Sequence, residues 1–136
     1  MTTQTKDSTI QRFNAIPWHD SKLLGLSFYR ENSLEVVKIS LHVLEEQGAL
    51  KPAELIFRES TYVKLEIDLE GKSQCSDDIS WANCSAESDW LRTLSAENRY
   101  DSFDGFLHFK IELIPPGGEI NILAKDFTLT GAADTN

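Results

Sequence analysis

Four adjacent residues, Trp18-His19-Asp20-Ser21, are the densest collection of chemically capable side chains in this sequence. A histidine beside a carboxylate and a hydroxyl could serve general acid–base or nucleophilic chemistry, given an orienting partner and a substrate-facing nitrogen. Side chains of adjacent residues in an extended chain point to opposite sides. Asp20 therefore orients His19 only if the backbone turns between them. The simpler expectation is a structural turn: Asp and Ser bond to backbone amides, and Trp18 lids the end of a sheet.

Other candidates are weaker. His42 and His108 fall on the polar side of expected strands, with His108 facing Lys125. The three histidines lack ligand spacing, so the sequence points to no metal and no cofactor. Glu66, Asp68, Glu112 and Asp126 lie in or beside strands, where charged residues usually form a solvated face. Gly117-Gly118 follows two prolines and precedes a strand, so it reads as a turn and not a phosphate cradle. Cys75 and Cys84, with eight residues between them, match neither zinc nor redox spacing and read as free thiols. Of the remaining tryptophans, Trp90 sits on a helical stripe facing the core, and Trp81 among small polar neighbours suggests a sheet edge. Trp18, His19, Asp20, Ser21 and Trp81 form the set of interaction candidates.

The chain has 136 residues, 40% hydrophobic and 26% charged, which suits a single domain spanning 1–136 with flexible tails at 1–7 and 131–136. Twenty-two acidic residues against 13 basic leave a net charge of −9. Scattered lysines and arginines disfavour nucleic acid and anionic membranes, whereas a basic protein partner gains from long-range attraction. No apolar run approaches the roughly 20 residues of a membrane span, and the N-terminus has no signal-peptide pattern, so the expected location is cytoplasmic.

The elements that must position these residues are mostly strands. Ser8-x-x-Gln11 resembles a capping box for a short helix over about 9–15, stopped by Pro17. A hairpin around Asn32-Ser33 pairs Glu31 with Leu34, Phe28 with Val37, Leu26 with Ile39 and Leu24 with Leu41, with every apolar pair on one face. Residues 45–53 read as a loop. Leu55 to Leu69 keep one parity, as one strand bent near Ser60 or two in succession. A short strand over 78–84 precedes a helix at about 86–97 capped by Ser85. A final hairpin around Pro115–Gly118 pairs Ile114 with Glu119, and a bulge is expected near Lys125-Asp126. The fold class is mainly β (α+β): an antiparallel sheet or sandwich of about six strands with one packed helix and a short N-terminal helix.

"PWHDSKLLGLSF" and "HFKIELIPPGGEINILAKDF" resemble a group of small uncharacterised bacterial proteins that begin with a Trp/Phe-His-Asp-Ser/Ala-x-Leu signature, over roughly Pro17 to Leu129. Some relatives with that opening are grouped with immunity proteins of bacterial toxin systems. The resemblance implies a non-enzymatic, immunity-like interaction role and transfers no catalytic residues. A small-molecule-binding module or enzyme near the Trp18–Ser21 segment is the alternative expectation.

Overall fold

A computed structural model describes residues 3–45, 48–58, 62–67, 78–97, 105–114 and 117–131. Its elements are α1 (Thr3–Asn14), β1 (Lys22–Glu31), β2 (Leu34–Leu44), β3 (Leu50–Arg58), β4 (Tyr62–Ile67), β5 (Ile79–Ser85), α2 (Asp89–Glu97), β6 (Leu107–Leu113), β7 (Gly118–Ala124) and β8 (Thr128–Gly131). They make two four-stranded antiparallel sheets: sheet A in the order β1-β2-β3-β8 and sheet B in the order β4-β7-β6-β5. The α+β class therefore holds, with eight strands among the described residues where about six were expected.

Alternation builds the core between the sheets. Val37, Ile39, Leu41 and Val43 of β2 face inward, as do Leu107, Phe109, Ile111 and Leu113 of β6. Each is nearly or fully buried, which contributes about 1.5–3 kcal/mol per large side chain. Phe13 from α1 joins them, edge-on to Phe109 at 5.1 Å and Phe127 at 5.3 Å. α1 begins at Thr3 and not near residue 9, and its Thr9–Phe13 face is buried against the sandwich. Ser8 and Gln11 thus lie inside the helix and do not cap it. The helix ends with an i→i−3 bond from the Ile16 amide to the Phe13 carbonyl just before Pro17.

The first hairpin turns at Asn32 and Ser33, both with positive φ (53° and 69°), as a two-residue primed turn requires. Its register matches expectation from Glu31–Leu34 through Leu26–Ile39. A bulge between Leu23 and Gly25 then sets Leu23, not Leu24, opposite Leu41, and turns Leu24 out to solvent. The expected loop at 45–53 is shorter, because β3 already pairs with β2 from Leu50, and Pro52 stands beyond the β8 ladder. β3 and β4 prove to be two strands in different sheets; the predicted bend at Ser60 lies outside the described residues.

Three further expectations are corrected. The second hairpin pairs Leu113 with Gly118, Ile111 with Ile120 and Phe109 with Ile122, two residues away from the predicted register. Lys125–Phe127 is no bulge but a corner that carries the chain from sheet B into sheet A. There the Asp126 carboxylate accepts a 2.8 Å bond from the Phe127 amide. Ser88 caps α2 through a 3.1 Å bond from the Leu91 amide; Ser85 closes the end of β5 by bonding Glu87. None of the described helices is long and apolar enough to cross a membrane.

Candidate functional site

The turn at 18–21 is tied into the sandwich from several directions. The Ser21 amide bonds the Trp18 carbonyl at 2.9 Å, and Asp20 takes a φ of +70°. Ser21 is fully buried; its hydroxyl donates to the Pro17 carbonyl at 2.8 Å and accepts from the Leu44 amide at 2.9 Å. The indole of Trp18 is buried and donates to the Phe13 carbonyl at 2.8 Å. So Trp18 and Ser21 hold the corner where the chain enters β1. The backbone does turn between His19 and Asp20, and their side chains meet at 3.1 Å. Both point into open solvent, His19 at 75% and Asp20 at 53% side-chain exposure.

Two backbone bonds join this turn to β5: Asp20 N–H to the Ile79 carbonyl at 2.9 Å, and Ile79 N–H to the Ser21 carbonyl at 2.7 Å. Beside them Lys22 pairs with Asp78. Four of the five sequence candidates are thereby gathered at the start of β5, the strand that carries the fifth, Trp81. β5 is an edge strand, as Trp81's neighbours suggested.

An irregularity between Ile79 and Trp81 decides where that indole goes. Ile79 faces the core opposite Leu113, and simple alternation would place Trp81 inside as well. The extra residue, Ser80, reverses the parity, so Ala82 and Cys84 take the inward positions and Trp81 stands outside, opposite Glu112. Trp81 is 46% exposed. Cys84 is a buried free thiol whose pKa is pushed up to about 12 by burial and by Asp126. It is a poor nucleophile there. Cys75 lies outside the described residues.

From Trp81 the outer face of sheet B can be read in rows across β5, β6, β7 and β4. The first row is Trp81, Glu112, Glu119, Glu66; the second is Asn83, Lys110, Asn121, Lys64; the third is Ser85, His108, Leu123, Tyr62. α2 covers the third row: Leu91 packs on Leu123, and Trp90 meets the His108 ring edge-on at 5.1 Å. Trp90 is accordingly half-buried in this satellite cluster and not in the main core.

The second row links the covered half to the open one. His108 bonds Asn121 through Nε2 at 2.7 Å, and Asn121 donates to Glu119 Oε2 at 2.9 Å. Lys110 Nζ lies 3.4 Å from Glu112 and 3.8 Å from Glu119. His108 therefore faces Leu123 and Asn121, not Lys125 as the expected register had it. Burial, with Lys110 and Lys64, lowers its pKa against the opposing pull of the Asn121 bond and Glu119.

The first row is the anomaly. Glu112, Glu119 and Glu66 stand directly opposite one another on adjacent strands, with Lys110 the ammonium that reaches two of them. Like charges in that position destabilise a sheet. Among the described residues no three His, Cys, Asp or Glu side chains are placed to hold a metal; Glu66 is exposed, and Glu112 and Glu119 are half-buried beside it. Glu66 and Glu112 were visible in the sequence as strand carboxylates, but nothing there distinguished them; Glu119 went unnoticed. Asp68 lies outside the described residues, and Asp126 pairs with Arg12 at 2.8 Å. Comparison of the chain with protein-family models, curated proteins and solved structures finds no match.

Proposed function

We propose that this chain is a cytoplasmic, non-enzymatic protein-interaction module that holds a basic partner against the uncovered half of sheet B. The observation that carries this reading is the row Trp81–Glu112–Glu119–Glu66, an exposed indole followed by three aligned carboxylates. An exposed tryptophan is a common anchor of a binding surface, and a strip of one sign beside it selects a partner of the opposite sign. The overall charge of −9 draws a cationic partner in from a distance. A toxin domain is a fitting partner of this kind, in line with the resemblance of the opening motif to immunity-associated proteins. Absence of catalysis is supported by the engaged hydroxyl of Ser21 and the high pKa of Cys84.

The test is capture from native lysate with the wild-type protein and with Glu66→Lys/Glu112→Lys as parallel baits. A basic protein retained near stoichiometrically by the first, released as salt rises and lost by the second is the expected outcome. Equal retention by both baits would overturn the assignment to this face.

A further inference from the structure

We propose that Trp81 and Glu112 together form a receptor for an arginine side chain of the partner; this rests on the interaction role above and names the group that is gripped. Several aromatic rings of this chain carry a cation of their own. Arg12 lies 4.7 Å from the Phe127 ring centroid, Lys125 5.4 Å from Phe106, Lys64 5.8 Å from Trp90 and Lys38 6.0 Å from Tyr29. Trp81 is 46% exposed and has no such cation among the described residues. Phe28 also stands exposed, but the residue opposite it is Val37. Opposite Trp81 is a carboxylate.

The oxygens of the two inner carboxylates are differently engaged. Glu119 is held at both, by Lys110 on Oε1 and by Asn121 on Oε2. Glu112 meets Lys110 through Oε2, and its Oε1 has no partner among the described residues. Glu112, with an open carboxylate oxygen, and the half-exposed Trp81 thus stand directly opposite one another across the β5–β6 ladder, a position in which Cβ atoms are about 5 Å apart. A guanidinium is planar, so it can stack on the ring while its edge donates to the carboxylate; a lysine ammonium is a point charge that cannot do both as well. The pair is held in place before any partner arrives. Both residues sit in the β5–β6 ladder, and the Ser80 hydroxyl donates to the Glu112 carbonyl at 3.2 Å.

The experiment is a titration of the ¹⁵N-labelled protein with hexa-arginine and with hexa-lysine at low salt, following the indole N–H signals. The Trp81 signal moves, and hexa-arginine binds about three- to fivefold more tightly than hexa-lysine. The Trp18 indole, bonded to the Phe13 carbonyl inside the core, stays still and reports that the fold is intact. Trp81→Ala makes the two peptides equal, and Glu112→Gln weakens hexa-arginine more than hexa-lysine. If the peptides bind equally well to the wild type, or if Trp81→Ala keeps the preference, the arginine receptor is wrong. Should Glu66→Gln and Glu119→Gln still weaken both peptides in that case, the basic-partner reading survives its loss. If neither peptide moves a signal the receptor is also wrong, and the lysate capture judges the wider role separately.

Discussion

The outer faces of the two sheets treat charge in opposite ways. On sheet A opposite signs sit together: Lys38 lies 3.5 Å from Glu54, and Arg58 lies 2.9 Å from Glu31. On sheet B three glutamates stand side by side and two of them share one lysine. Both faces are cut from similar antiparallel ladders, so strand geometry does not impose the difference. The first arrangement serves the fold, because each pair gains a few tenths of a kcal/mol or more. The second works against it, a locally unfavourable choice that the proposed binding role would account for.

The contrast can be broken most severely at a glycine. Gly118 has a φ of +110°, and a Cβ there would collide with the Glu66 carbonyl, so β4 and β7 come together only because that atom is absent. Gly118→Ala is expected to cost at least about 2 kcal/mol in urea unfolding and to part Glu66 from Glu119. On sheet A, Gly25 has ordinary φ and open space around it, so Gly25→Ala changes stability by less than about 0.5 kcal/mol. Next in size is Ser21→Ala, which removes two bonds of a buried hydroxyl and should cost about 1–3 kcal/mol. His19→Ala, at a side chain mostly in solvent, stays within about 0.5 kcal/mol in the same assay.

A smaller effect belongs to sheet B alone. The pKa of His108 is lowered, chiefly by burial, so the folded protein binds that proton less readily than the unfolded chain. Stability is therefore undiminished above the ordinary histidine value of about 6.5, falls as pH drops from there through the lowered folded value, and levels off below it. Thermal melts across that range should lose this slope in His108→Gln. Smallest of all, Glu66→Gln should stabilise by about 0.5 kcal/mol at low salt and by nothing at 1 M salt. Glu54→Gln on sheet A should instead destabilise slightly, and equal signs for the two substitutions would erase the distinction between the faces.

How much of this was legible in the sequence follows from what a period of two can record. Alternation told inside from outside for β2, β6 and most of β7, because burial of one face enforces it. It is blind to a shift of two residues, which leaves every side chain on its own face. That is the error made in the second hairpin, and it hid the site: the expected pairing sets Glu112 opposite Asn121, and the row of glutamates never forms. Bulges defeat alternation outright. The strand around Ile79 and Trp81 looks regular as text, yet one extra residue inverts it. The turn at 18–21 was conspicuous for its residue types, but Trp18 and Ser21 serve the corner of the fold, which needs buried donors and acceptors as much as an active site does. α1 reached further back than its cap signal because Ser8 and Gln11 fit a helix interior as well as a capping box, and the pattern alone does not separate the two.

Ser80 makes β5 a strand whose facing depends on a count. Removing that one residue would straighten the strand and leave the indole outside, whereas drawing Ser80 into the ladder opposite Glu112 would roll the indole inward and push Ala82 and Cys84 outward. Point substitutions adjust this surface in small steps. A slip of one residue past the bulge would exchange it, in a single event, for a smaller face bearing a sulfhydryl.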